Sequence, residues 1–165
     1  MRLKAMAKIN LGLDVLGKRE DGYHEVRMIM QTIRMYDILD IRKTRRPGIV
    51  LTTNLPFIPT DQRNLVYKAA QMLMEEFDVE EGLSIKLRKF IPVAAGMAGG
   101  SSDAAAAFVG VNRMFHLGLT EKQLMERAVK VGADVPYCIM RGTALAEGIG
   151  EKLTRLPEVP KCYVL

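Results

Sequence analysis

From Asn64 to Phe77 the apolar residues Leu65, Val66, Ala69, Ala70, Leu73 and Phe77 recur at three- and four-residue spacing, with Lys68, Gln71, Glu75 and Glu76 mostly between them. That period predicts an amphipathic helix. Leu83-Ser84-Ile85-Lys86-Leu87-Arg88 alternates with period two instead, which predicts a strand with one face on a core. Asp103 to Phe115 is alanine-rich and carries Phe108, Val111, Met114 and Phe115, a pattern for a helix packed close to its neighbours. Thr120-Glu121-Lys122-Gln123 fits a capping box that opens a helix through Leu124, Ala128 and Val131 and stops at Gly132. Apolar stretches over residues 4–13 and a β-rich run over 25–41 read as strands joined by the polar turn Gly17 to Gly22. Residues 48–52 add a short strand, and 138–146 and 160–165 are strand-like. Strands and helices alternate irregularly, so the expected class is an α+β sandwich, not a regular βαβ series.

Composition narrows this to one folded domain of 165 residues. The chain is 48% hydrophobic and 26% charged, which argues against disorder or a fibrous repeat. No apolar run approaches the roughly 20 residues of a membrane span, and the first residues lack a signal-peptide pattern, so a cytoplasmic location without a membrane partner is expected. Cys138 and Cys162 make no CxxC, which points away from zinc and from a disulfide framework. The net charge of +5 suits an anionic partner, either nucleic acid or a small phosphorylated ligand. The one dense basic cluster, Arg42 to Arg46, precedes Pro47-Gly48 and reads as a solvated turn.

The most informative stretch lies between the clear strand and the alanine-rich helix: Pro92-Val93-Ala94-Ala95-Gly96-Met97-Ala98-Gly99-Gly100-Ser101-Ser102-Asp103-Ala104. Small residues let the backbone approach a ligand, the following helix start offers unpaired N–H groups, and Ser101 and Ser102 supply hydroxyls. This is a phosphate-binding pattern distinct from GxxxxGK[ST] and GxGxxG. A bare turn of this kind can also serve tight packing alone, with either serine as a cap.

The pattern P-x3-G-x-x-G-G-S-S-x-A resembles the ATP-binding motif of the GHMP kinases. Ala7-Lys8-Ile9-Asn10-Leu11, Arg19-Glu20-Asp21-Gly22-Tyr23-His24 and Gly132-Ala133-Asp134-Val135-Pro136 extend the resemblance, within that superfamily, to the kinases of 4-diphosphocytidyl-2-C-methyl-D-erythritol. The resemblance implies a ribosomal-protein-S5-like two-layer α+β fold spanning residues 1–165 as the N-terminal ATP-binding domain. The family's C-terminal domain, with a further glycine-rich motif, is expected to be missing. It also implies ATP and Mg²⁺ as co-substrate and cofactor, and phosphorylation of the 2-hydroxyl of that cytidine-linked substrate in non-mevalonate isoprenoid biosynthesis.

Residue by residue, the resemblance makes Asp134 the base that takes the hydroxyl proton, and Lys8 the cation that orients it and stabilises developing charge. Asn10, Tyr23 and His24 would hold the substrate, the last two at the cytosine. Asn64 and Lys89 would lie near adenine, and Ser101 or Ser102 near phosphate and Mg²⁺. Each has a plainer alternative: Asp134 beside Gly and Pro as a turn residue, Lys8 and Lys89 as outward strand lysines, Asn10 as an edge hydrogen bond. Three other readings stand beside this kinase reading: a GHMP kinase for another alcohol, of the homoserine or mevalonate type, an S5-like RNA-binding module, and a fragment that only binds nucleotide without chemistry of its own. The Tyr23-His24 pair argues against the first. The glycine–serine loop argues against the second, and no nucleic-acid partner is expected.

Overall fold

The computed structural model describes residues 1–164. Its frame is a long hairpin, β1 (Arg2–Lys18) and β2 (His24–Thr44), paired antiparallel along nearly its whole length. Since β1 occupies one edge of β2, the other edge is shared. Ile38 to Thr44 pair with β4 (Gly82–Arg88), and Val26 to Gln31 pair with β5 (Thr143–Gly148). Between these ladders β2 has a gap, and the loop that follows β4 leaves the sheet there. A parallel β3 (Ile49–Thr53) and an antiparallel β6 (Lys152–Arg155) complete six strands.

Along β2 the residues Met28, Met30, Leu39 and Ile41 turn inward, as do Leu83, Ile85 and Leu87 of β4. The period of two thus puts one sheet face on the helices. Helix α1 (Leu65–Glu76) buries Val66, Ala69, Ala70, Leu73 and Met74, the stripe that its spacing predicts. Helix α2 (Gly99–Met114) contributes an almost unbroken buried run from Ser102 to Phe108. Its alanines and Gly110 allow that close approach: a Cβ at Gly110 would stand 2.4 Å from Ile41 Cδ1 and 2.8 Å from Leu3 Cδ1. Helix α3 (Glu121–Ala128) opens on the expected capping box, with Thr120 and Gln123 bonding reciprocally.

Several expectations are corrected. Residues 138–140 belong to a short helix α4 (Val135–Met140), started by Pro136 in its first turn, and the strand begins only at Thr143. Residues 160–164 form no strand, and Leu165 lies outside the described residues. Helix α2 begins inside the glycine-rich stretch, four residues before Asp103. Helix α3 ends before Gly132, which closes a turn with its N–H on the Ala128 carbonyl. Strand β6 has no signal in the periodicity.

Candidate active site

At the gap in β2 the sheet opens into a cleft of about 580 Å³, lined by Lys8, Asn10, Asn64, Lys89, residues 92–101, Asp103 and Asp134. A groove of similar size between β3 and α1, bordered by Glu75, Asp78 and Glu80, contains none of the motif residues. The chemistry therefore points to the cleft at the gap.

Lys8 reaches this cleft because β1 is irregular. The register slips between Met6 and Lys8, so Ala7 and Lys8 are both buried where strict alternation would send one outward. The slip also frees the Lys8 N–H, which donates to the Met97 carbonyl at 3.1 Å and fastens the strand to the glycine-rich loop. The Lys8 ammonium lies 3.2 Å from Asn10 Oδ1 and 3.8 Å from Asp134 Oδ2. Asp134 stands at the N-cap position of α4, but its side chain makes no capping bond and is 30% exposed. A carboxylate that does not cap its helix and faces a buried ammonium is available for chemistry.

The loop is built for an anion. Ala94, Gly96 and Ala98 take left-handed backbone conformations at alternate positions, with φ of 58°, 73° and 54°. Such alternation folds successive N–H groups into a concave nest. Helix α2 then starts at Gly99 with no side-chain cap and no acidic residue in its first turn. Its first amides and the positive end of its dipole are left for a ligand.

The serines divide. Ser101 lines the cleft. Ser102 is buried, its hydroxyl donating to the Met6 carbonyl and lying 3.3 Å from Cys138 Sγ, so it anchors α2 to β1 and α4. Burial in turn pushes the Cys138 thiol up to about 12, the Ser102 hydrogen bond opposing this. Asn64 caps α1, accepting from Val66 N–H at 2.9 Å and donating to the Pro59 carbonyl at 2.7 Å. It shapes the cleft wall with both ends of its amide committed.

Lys89 is not an outward strand residue. It continues the inward parity of Leu83, Ile85 and Leu87, and its ammonium sits between Asp37 Oδ2 and Asp103 Oδ2, the latter at 2.6 Å. Desolvation opposes its charge, but Asp103 and Asp37 outweigh that and raise its pKa. Burial holds the Asp103 carboxyl well above the usual carboxylate range, with Lys89 pulling the other way. Asp37 and Asp103 escaped the sequence reading, although Asp37 shares the inward parity of Leu39 and Ile41, and Asp103 heads a run of alanines. A charge at an inward position was the available signal.

Tyr23 and His24 lie at the tip of the β1–β2 hairpin, with Tyr23 61% exposed, and neither borders the cleft. The basic cluster is partly occupied: Lys43 pairs with Glu81 at 3.2 Å and sits 4.5 Å over the Phe115 ring. No helix among the described residues is long and apolar enough to cross a membrane.

Comparison with known proteins bears on the fold. Residues 64–142 match the family model of the GHMP kinases N terminal domain. The 4-diphosphocytidyl-2-C-methyl-D-erythritol kinase of Lachnospira eligens is 57% identical over 165 residues, and that of Caldicellulosiruptor bescii 55%. These alignments cover 100% of this chain but only 57% and 58% of the relatives, so the chain spans less than three fifths of their length. A crystal structure of 4-(cytidine 5'-diphospho)-2C-methyl-D-erythritol kinase superposes with a TM-score of 0.83 at 35% identity, covering 94% of this chain and 55% of that one. The mevalonate kinase of Methanococcus jannaschii gives a TM-score of 0.72 at 15% identity over 95% of this chain and 56% of its own, a likeness of fold alone. By its matched region and its architecture, the chain has the fold of the GHMP kinases' N-terminal domain.

Proposed function

We propose that residues 1–165 are the nucleotide-binding and base-carrying part of an ATP-dependent kinase acting on the 2-hydroxyl of 4-diphosphocytidyl-2-C-methyl-D-erythritol, a step of non-mevalonate isoprenoid biosynthesis. The observation that carries this reading is the Lys8–Asp134 pair in the same cleft as the glycine-rich loop. Asp134 accepts the hydroxyl proton, the freed oxygen attacks the γ-phosphorus, and ADP departs. The Lys8 ammonium stabilises the charge that builds on the attacking oxygen. The loop amides and the start of α2 hold the phosphates in line, which is most of what this reaction asks of a protein. The identity of the substrate rests on the names of relatives more than half identical over the whole chain.

Mg²⁺ fits these residues. Among the described residues no three His, Cys, Asp or Glu side chains gather into a cage, and Mg²⁺ in kinases takes one or two protein oxygens plus phosphates and water. Ser101, which lines the cleft, would hold it, since the Ser102 hydroxyl is engaged with the Met6 carbonyl. When bound there, the ion would neutralise phosphate charge. Tyr23 and His24 remain the proposed cytosine contacts, acting from the hairpin tip and outside the cleft.

The test is ADP release by the purified chain with Mg²⁺-ATP, with and without the cytidine substrate, beside Asp134→Ala. Substrate-dependent release that disappears in the variant supports the reading. Release that persists in Asp134→Ala removes Asp134 as base. Absence of both release and ATP binding by the wild-type chain sinks the assignment for this segment.

A further inference from the structure

Three buried ionisable side chains meet beneath the glycine-rich loop, from β2, from the residue after β4 and from α2, and the proposed reaction does not use them. Asp37 accepts through Oδ1 from the N–H groups of Phe90 and Ile91, the second at 2.8 Å, and these are the first residues of the loop. Its Oδ2 takes Lys89. On the far side, Lys89 donates to Asp103 Oδ2, in the second turn of α2 where the loop ends. Asp103 Oδ1 is buried and has no hydrogen-bond partner among the described residues, so the Lys89 ammonium is the cation that holds this carboxyl, against the neighbouring Asp37. Gly99 belongs to the same device: a Cβ there would stand 3.1 Å from Lys89 Nζ and 3.2 Å from Ile91 Cγ2, so a larger residue would push the ammonium or Ile91 aside by a few tenths of an ångström.

The loop is therefore tied at both ends to one ammonium. We propose that Asp37, Lys89 and Asp103 are positioning residues that fix the shape of the glycine-rich loop, so that ATP affinity depends on a buried cluster beneath the nucleotide site. The inference rests on the nucleotide-binding reading above. Its physical basis is that a nest of left-handed residues binds phosphate only while its N–H groups converge. Three such residues, two of them alanines in a conformation that disfavours a Cβ, hold that shape only if the surroundings impose it. The cluster imposes it together with three backbone ties: the Lys8 N–H on the Met97 carbonyl, the Asn54 amide on the Lys89 N–H and carbonyl, and the Ser102 hydroxyl on the Met6 carbonyl.

The experiment combines ATP titration with amide hydrogen exchange on the full chain, for the wild type, Asp103→Ala and Asp103→Asn. Asp103→Ala is expected to weaken ATP binding about tenfold or more, since misplacing binding groups by an ångström is costly. It should also speed exchange over residues 90–101 while α1 and α3 keep their protection. Asp103→Asn keeps a carbonyl for Lys89 and is expected to recover part of both. Binding within twofold of wild type together with unchanged loop exchange overturns the proposal. So does a uniform rise in exchange through all the helices in both variants, which would mark the cluster as general core support. If the wild-type chain fails to bind ATP, the nucleotide reading falls and the dependence of affinity falls with it. The effect on loop shape is then decided by exchange alone.

Discussion

Lys8 and Lys89 border one cleft, both are nearly buried, and each sits beside acids, yet their surroundings differ in kind. Lys8 faces a single carboxylate across 3.8 Å, and that carboxylate is partly open to solvent. Lys89 is held by two carboxylates at hydrogen-bond distance, with Asp103 at 2.6 Å and side-chain exposures of 5% or less throughout. A loosely paired ammonium keeps capacity for a ligand, because its remaining donors and its field are not spent. A clamped one has spent them on holding chain segments together. Under the proposed function, the same residue type in the same cleft thus divides into a reagent and a fastener, and the division follows from distance and desolvation.

Substitution should separate the two most sharply at Asp134. Asp134→Ala is expected to lower kcat between a hundredfold and ten-thousandfold, the usual worth of a positioned base, about 3–5 kcal/mol of barrier. The midpoint of urea unfolding should stay near wild type, since this side chain caps nothing. Lys89→Met should show the reverse priority. It leaves Asp37 and Asp103 buried together without their cation, a change that costs about 3–5 kcal/mol when a buried pair is broken. The drop should appear in urea unfolding before any assay of turnover. Were Lys89→Met as stable as wild type and Asp134→Ala badly destabilised, the division drawn here would be inverted.

Sequence alone carried part of this. Helix α1, strand β4 and the capping box at Thr120 were legible because each is written in a local period or a four-residue motif. Helix α4 was not, since six buried residues in a row have no period to distinguish helix from strand; Pro136 was its only signal. The Lys8–Asp134 pair joins residues far apart in the chain and was reachable only through the resemblance to a known family. The fastening cluster was missed for another reason. Asp37 lies 52 residues before Lys89, and Asp103 lies 14 after it, so only the inward parity of each charge pointed to a meeting. Ser101 and Ser102 are adjacent and alike in sequence, and the 100° turn of a helix decides which faces the cleft.

A smaller effect tests how firmly the reagent side is held. Tyr137, on the helix that carries Asp134, donates its hydroxyl to the Gly142 carbonyl at 2.7 Å and lies 3.0 Å from Thr32 Oγ1. Burial pushes this phenol up to about 12, the Thr32 contact opposing the shift, so it stays a neutral donor throughout the working range. Tyr137→Phe keeps the packing and leaves the Gly142 carbonyl short of one partner, at a cost of about 1–2 kcal/mol in unfolding. A fall in kcat with ATP affinity unchanged would show that α4 needs this tie to keep Asp134 on Lys8. A fall in affinity instead would connect α4 to the loop and blur the two regions.

The smallest effect sets the baseline for an ion pair that neither reacts nor lies buried. Arg127 on α3 reaches Glu76 at the end of α1, its Nε at 3.0 and 2.8 Å from the two carboxylate oxygens. The Arg127 hydrogen bond first, and its charge, hold Glu76 below its ordinary value of 4.5. The folded state therefore binds this proton less readily than the unfolded chain. The contribution is complete above the ordinary value and disappears as pH falls through the lowered one. In an exposed pair it amounts to about 0–1 kcal/mol. Arg127→Ala should thus cost that little at pH 7, and the part due to Glu76 should vanish once both states are protonated, leaving only the Arg127 bond to the Gln123 carbonyl. A loss as large as that of Lys89→Met would mean that burial is not what makes the fastening cluster strong, and the contrast between the two lysines would need another cause.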